Sequence, residues 1–298
     1  MSDLVEPRAA EITYETDTPV TYEAEGAIAW ITLNRPIYNN AQNSQMTYAL
    51  DDAFKRAVDD DGIKVIILRG AGKHFSAGHD IGSPGRDVSK SFERRLMWPD
   101  HVNKPAAELL YTREHEVYLG MCRRWRDIPK PTIALVQGAC VAGGLMLAWV
   151  CDFIIASEDA FFQDPVVRMG IPGVEYFAHA FELPPRVAKE FLLLGERMSA
   201  ARAEQFGMVN QVVARDNLEQ AGRTMAQKLA AYPRLGLWLG KQAINHVEDL
   251  RGKRTAMDAH YHMHHFAHAQ NDLTTGDRLG GQDARSMAAA NKKQAGAS

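Results

Sequence analysis

Residues 132–156 limit the possible folds more than any other part of this chain. The run is almost wholly apolar and about as long as a bilayer-spanning helix. Gln137, Gly138, the Gly143-Gly144 pair and Asp152 break it, so it reads as separate elements rather than one span. A strand over 132–136 leads into a glycine turn, then a buried helix from Gly143, then a second strand over 153–156. Such a segment needs cover on every side, which calls for a sizeable α/β domain and argues against a membrane helix.

The other elements agree. Two β-rich runs, 20–24 and 27–33, flank Glu25-Gly26 and predict a hairpin that Pro36 ends. Ser44 is placed as the N-cap of a helix whose Met46, Leu50, Phe54 and Val58 share one face. The apolar strand 65–68 then completes a βαβ start and implies a parallel sheet. Residues 82–127 are weakly patterned. Loops are expected at Ser83-Pro84-Gly85 and Trp98-Pro99-Asp100, and helical spacing returns from Glu108 to Trp125, so this stretch reads as a lid or packing arm. Helical patterns dominate 185–268. The expected organisation is a flexible arm over 1–19, a core over 20–215, a helical region over 216–270 and a flexible tail over 271–298.

With 298 residues, 34 basic and 37 acidic side chains and a net charge of −3, the chain offers no bulk attraction to nucleic acid. Its three cysteines (Cys122, Cys140, Cys151) form no C-x-x-C pair and fit a reducing compartment. The acidic opening MSDLVEPRAAEITYETD has no apolar core, so it is read as neither signal nor transit peptide, and a cytoplasmic location is expected.

Two glycine-flanked loops carry the chemistry. Lys73-His74-Phe75-Ser76-Ala77-Gly78-His79-Asp80-Ile81 follows a strand, and Gln137-Gly138-Ala139-Cys140-Val141-Ala142-Gly143-Gly144 opens the buried helix. Glycine lets backbone approach a ligand closely, and the first N–H groups of a helix lack internal acceptors. Two such donors aimed at one carbonyl form an oxyanion hole. The order FSAGHDI, GACVAGG, CDFIIAS and DPVVRMGIPG, with LNRP before and AARAEQFGMVNQVV after, resembles the crotonase (enoyl-CoA hydratase/isomerase) superfamily over about residues 20–270. The resemblance implies a spiral of ββα units with a C-terminal helical region, 216–270, used to assemble trimers or hexamers. It implies an acyl-CoA substrate, CoA entering as part of that substrate, and no tightly bound cofactor. It places the oxyanion donors at the N–H of Ala77 and of Gly143, and CoA near Tyr38 and Asn40 and along Ser76, Gly78, Asp80 and Ile81.

The chain departs from the family at the acid–base pair. Hydratases of this family use two glutamates, and the matching positions here are Met146 and Val166, neither of which transfers protons. Glu175, among Val174, Tyr176 and Phe177, is the expected replacement, because apolar neighbours raise a carboxyl pKa toward neutrality. His79 and Asp164 are the other candidates; a turn acid binding backbone N–H groups is the plainer reading of Asp164. Asp152 matches a family position with a structural role. His260, His264 and His268 share a helix face at i, i+4 and i+8, but no acid stands among them in sequence, so a packed helix with no metal is expected. Asp59-Asp60-Asp61 reads as a solvated helix end. Loss of both glutamates leaves three alternatives to hydration or isomerisation: thioester hydrolysis, C–C cleavage, or acyl-CoA binding without chemistry.

Overall fold

A computed structural model describes residues 18–83, 87–97 and 99–280. The arm over 1–17, Pro84-Gly85, Trp98 and the tail beyond 280 lie outside them. Strands β1 (Val20–Glu25) and β2 (Ile28–Leu33) pair antiparallel across Gly26. To β2 are added, all parallel, β3 (Val65–Gly70), β4 (Thr132–Val136), β6 (Phe153–Ser157) and β9 (Gln211–Val213). A smaller sheet joins β5 (Ala139–Val141), β7 (Phe161–Gln163) and β8 (Met198–Ser199). The sheets and helices form the mixed α/β architecture that the sequence leads one to expect.

Side chains alternate across the main sheet, as strands require. Ile31, Ile66, Leu68, Ala134 and Val136 face the large core with α1 (Ser44–Asp59). Trp30, Val65, Ile67, Ile133, Leu135 and Ile155 face the other way, onto Leu218 and Ala226 of a later helix, α8 (Leu218–Ala230). The sheet is therefore covered on both faces, which explains the unbroken apolar strands.

The weakly patterned stretch becomes helix α2 (Ala106–Glu114), one π-helical turn (His115–Gly120) and α3 (Met121–Arg126). Two buried carboxylates tie it down. Glu116 accepts the N–H groups of Arg95 and Met97 at 2.7 and 2.6 Å. Asp87 accepts those of Ser44 and Gln45, each at 2.8 Å, and so caps α1 from a distant loop. The expected cap, Ser44, is itself the first helical residue; the local cap is Asn43, whose side chain accepts from Met46 N–H at 2.9 Å.

Helix α4 (Gly143–Trp149) follows β5. Helices α5 (His179–Glu182), α6 (Pro185–Leu194) and α7 (Ala200–Gln205) precede α8; α9 (Arg234–Leu250) and α10 (Lys253–Thr275) follow it. The tail expected from residue 271 is helical as far as Thr275, where Gly276 ends the helix at φ 73°.

Candidate active site

A cavity of about 830 Å³ opens between the two glycine loops, α2, the π-helical turn and α10. The loops touch through glycine. Gly78 has φ +96°, and a Cβ there would come within 2.8 Å of Val141 O and 3.2 Å of Gly143 N. A Cβ on Gly143 would stand 2.4 Å from the His79 ring. Bulkier residues would therefore force the two backbones apart.

Hydrogen bonding decides which N–H groups face the cavity. Gln42 pairs in parallel with His79: Gln42 N–H donates to Gly78 O and Asp80 N–H to Gln42 O, both at 2.8 Å. Both bonds fall on the neighbours of His79, so its own N–H is directed away from Gln42. It has no acceptor among the described residues. Ala77 N–H, the expected donor, is bonded to Asn39 O at 2.9 Å. The free donor on this loop is thus two residues further on. Across from it, Ala142 N–H is held by Gln163 O at 2.9 Å, and Gly143 N–H heads α4 without an acceptor among the described residues. Ala142 adopts φ 48°, ψ −117°, a region that suits glycine.

The expected CoA-contacting residues divide. Asp80 and Ile81 line the cavity. Asn40 and Ser76 are fully buried with their side chains committed to the loop. Asn40 accepts from Arg35 N–H and donates to the carbonyls of Ala71, His74 and Phe75, and Ser76 Oγ donates to Asn40 O and accepts from Gly78 N–H. Both side chains hold the loop in shape. Tyr38 does not line the cavity; the Arg35 guanidinium lies over its ring at 5.0 Å. Arg35 also pairs with Asp80 at 2.9 Å. Although burial opposes it, the bonds from Ser83 and Arg35 hold the Asp80 carboxyl below its usual range.

Glu175 lies on the cavity wall, 2% exposed, with Oε1 3.6 Å from His79 Nδ1 and 3.7 Å from His264 Nε2. Oε2 has no partner among the described residues. Burial pushes its pKa up to about 8, with Glu114 adding to the rise and His264 opposing it. The His79 ring stacks on Tyr118 at 3.6 Å and 5°. Burial drives it down to about 3, so it is neutral at pH 7. His264 goes the other way: burial alone would lower it, but Glu175 and Glu114 raise it to about 9. Glu114 is in turn held low, burial notwithstanding, by His264 and the neighbouring histidines.

Asp164 is fully buried but does not line the cavity. Its Oδ2 accepts from His179 Nε2 at 2.8 Å and Val174 N–H at 3.3 Å, which fixes the strand of chain leading to Glu175. Asp164 thus stands behind the cavity wall, bonded to the segment that carries Glu175. Of the two family glutamate positions, Val166 lines the cavity and Met146 is fully buried. Asp152 binds Thr132 N–H at 2.8 Å and Lys241 at 2.9 Å, a structural arrangement.

The sequence reading did not assign Glu114, Tyr118 or His264 to the site. The charged run Arg113-Glu114-His115-Glu116 inside an apolar helical pattern was the available signal, since charges in a buried helix need partners.

Comparison with known proteins places the chain in a family. The enoyl-CoA hydratase/isomerase family matches residues 23–98 and 103–285. A Mycobacterium tuberculosis protein named as the enoyl-CoA hydratase EchA13 is 40% identical over 92% of this chain and 86% of its own length. The 1,2-epoxyphenylacetyl-CoA isomerase of Escherichia coli is 34% identical over 75% of this chain and 80% of its own. A crystal structure from Mycobacterium smegmatis, described as an enoyl-CoA hydratase, superposes with a TM-score of 0.78 at 43% identity, covering 87% of this chain and 98% of that one.

Proposed function

This chain belongs to the enoyl-CoA hydratase/isomerase family and is an acyl-CoA-processing enzyme, and from that premise we propose how its cavity works. The thioester carbonyl oxygen sits between the N–H groups of His79 and Gly143. Negative charge that develops there as an enolate forms meets two fixed donors, a large catalytic term in such sites. Glu175 moves the proton. One carboxyl group can take a proton from one atom and return it to another. That balances for a double-bond shift, and equally for water adding across the double bond.

The observation that carries this reading is the placement of Glu175. It is a buried carboxyl on the wall, 3.6 Å from the His79 ring, in a site whose two family glutamate positions are Met146 and Val166. Its raised pKa suits transfer near neutral pH. His79, neutral and stacked on Tyr118, orients rather than exchanges protons. CoA arrives as part of the substrate and runs past Asn39, Asp80 and Ile81, which line the same cavity.

We further place the enzyme in the cytoplasm, in keeping with three free cysteines. No helix among the described residues is long and apolar enough to cross a membrane. A homo-oligomer, trimer or hexamer, is supported by an exposed apolar face of α9, on which Leu235, Leu239 and Leu250 are each more than half exposed.

Turnover of a panel of 2-enoyl-CoA thioesters, followed by loss of the conjugated chromophore, tests the assignment. Glu175→Gln should lower kcat by at least about 100-fold with KM little changed. Undiminished turnover in that variant would remove Glu175 from the chemistry. CoA esters that bind without turning over across the whole panel would overturn the hydratase reading.

A further inference from the structure

A second cluster shares the cavity wall. Glu114, at the end of α2, meets His264, His265 and His268 of α10, and all four residues are buried. One donor atom each from Glu114, His264 and His265 lies within 4.8 Å of the others. Glu114 Oε2 is 3.7 Å from His264 Nε2 and 3.5 Å from His265 Nε2. His264 Nε2 is 3.0 Å from His268 Nε2.

The backbone fixes the tautomers. His264 Nδ1 lies 2.8 Å from Gly173 O, and His268 Nδ1 lies 3.0 Å from Arg278 O. A carbonyl oxygen only accepts, so each Nδ1 carries the hydrogen. In neutral rings both Nε2 atoms then present lone pairs to each other. That contact repels unless a cation sits there, either a proton on one ring or a metal ion. Donors of a tetrahedral site with bonds of about 2.0–2.1 Å stand about 3.3 Å apart. Glu114 Oε2 stands 3.7 and 3.5 Å from the two histidine nitrogens, close to that value, and all three donor atoms lie within 4.8 Å of one another. Glu114 Oε2 and His265 Nε2 are buried without hydrogen-bond partners among the described residues. An Nδ1–H donated to a carbonyl is also the usual outer support of a metal-ligating histidine.

We propose that Glu114, His264 and His265 bind a divalent transition-metal ion of the zinc class, with His268 Nε2 beside it, on the same cavity wall as Glu175. Imidazole-rich sets with one carboxylate favour zinc-class ions, whereas calcium and magnesium need oxygen. The histidine run alone predicts no such site, because its acid comes from α2. Metal-bound water is a far stronger acid than free water. With three protein ligands the fourth position stays open to water, so loading would add a polarised water to the cavity wall that carries Val166.

Protein stripped with EDTA is titrated with Zn²⁺ alone by calorimetry, and with Co²⁺ alone as an optical probe. No CoA ester is present, so this result and the turnover result stand or fall separately. The expected outcome is one Zn²⁺ per chain and an intense visible cobalt band of low coordination number. Affinity should fall at least about tenfold in Glu114→Gln and in His264→Ala, and persist in His262→Ala, whose ring is on the exposed side of α10. Glu114→Gln is nearly isosteric, and the wild-type stoichiometry and cobalt spectrum need no variant, so a misfolded His264→Ala leaves the test intact. Two outcomes overturn the proposal. Zinc binding that His262→Ala weakens as much as Glu114→Gln means an adventitious ion only. No binding by the wild type means that a proton occupies the gap.

Discussion

Glu175 shows how much one buried carboxyl can decide. Its polar side chain among Val174, Tyr176 and Phe177 was legible in the sequence, because burial without pairing favours the protonated acid. Which backbone N–H of the loop stays unbonded was not. Choosing between Ala77 and His79 depends on which residue Gln42 pairs with, and a parallel bridge leaves no trace in composition. The sign of the Glu175 shift gives a stability prediction for metal-free protein. The unfolded chain loses this proton near 4.5 and the folded chain near 8, so the folded state binds more protons between those values. Stability contributed by this group therefore falls as pH rises from 4.5 to 8, by a few kcal/mol in all. His264, raised from 6.5 to about 9, adds a contribution present below 6.5 and lost as pH rises through 9. Glu175→Gln removes the first effect and weakens the second, because the Glu175 charge is one of the two that raise His264. Urea midpoints should show the variant gaining on wild type between pH 5 and pH 8, and a gap that stays constant would mean that Glu175 titrates normally.

Strands, the hairpin and the βαβ start could be read from runs of apolar residues and from glycine and proline alone. Long-range carboxylate contacts could not. Asp87 capping α1 and Glu116 holding residues 95–97 join segments far apart in sequence, and local pattern carries no record of them. Asp164 is the contrast: the plainer reading, a turn acid that binds backbone N–H groups, matches its bonds from Val166 and Val174 N–H, while its partner His179 lies too far along the chain to be read locally. At this scale the turn before α4 is the best target. Ala142 holds φ 48°, ψ −117°, where glycine is at ease. Relief of about 1–3 kcal/mol of strain outweighs the 0.5–1 kcal/mol entropic cost of glycine. Ala142→Gly should thus stabilise the protein by about 1 kcal/mol, read from chemical denaturation; a loss of stability would show that alanine is unstrained there.

For the whole molecule, the boundary between core and helical region reflects two kinds of packing. Residues of α8 close the second face of the main sheet and belong to the core, although the pattern placed them with the helical region. Helix α9 instead turns an apolar face outward. Core stripes and interface stripes look alike in sequence, since both repeat near 3.6 residues, so the structure was needed to separate them. Placing a charge on that face, as in Leu239→Lys, should shift the species seen by light scattering from an oligomer to a monomer with the melting temperature lowered. A wild type that is monomeric at micromolar concentration would remove α9 from any assembly role.

Helix α10 closes the cavity with His264 and His268, and it comes late in the chain. During synthesis both sheets, both glycine loops and Glu175 leave the ribosome first. The cavity therefore lacks a wall until this helix docks. A nonsense mutation between Leu250 and His264 would leave a chain able to build its sheets and present the N–H groups of His79 and Gly143, but with the chamber beside Glu175 open to water. The cell would then carry an intact-looking protein whose site had never been finished.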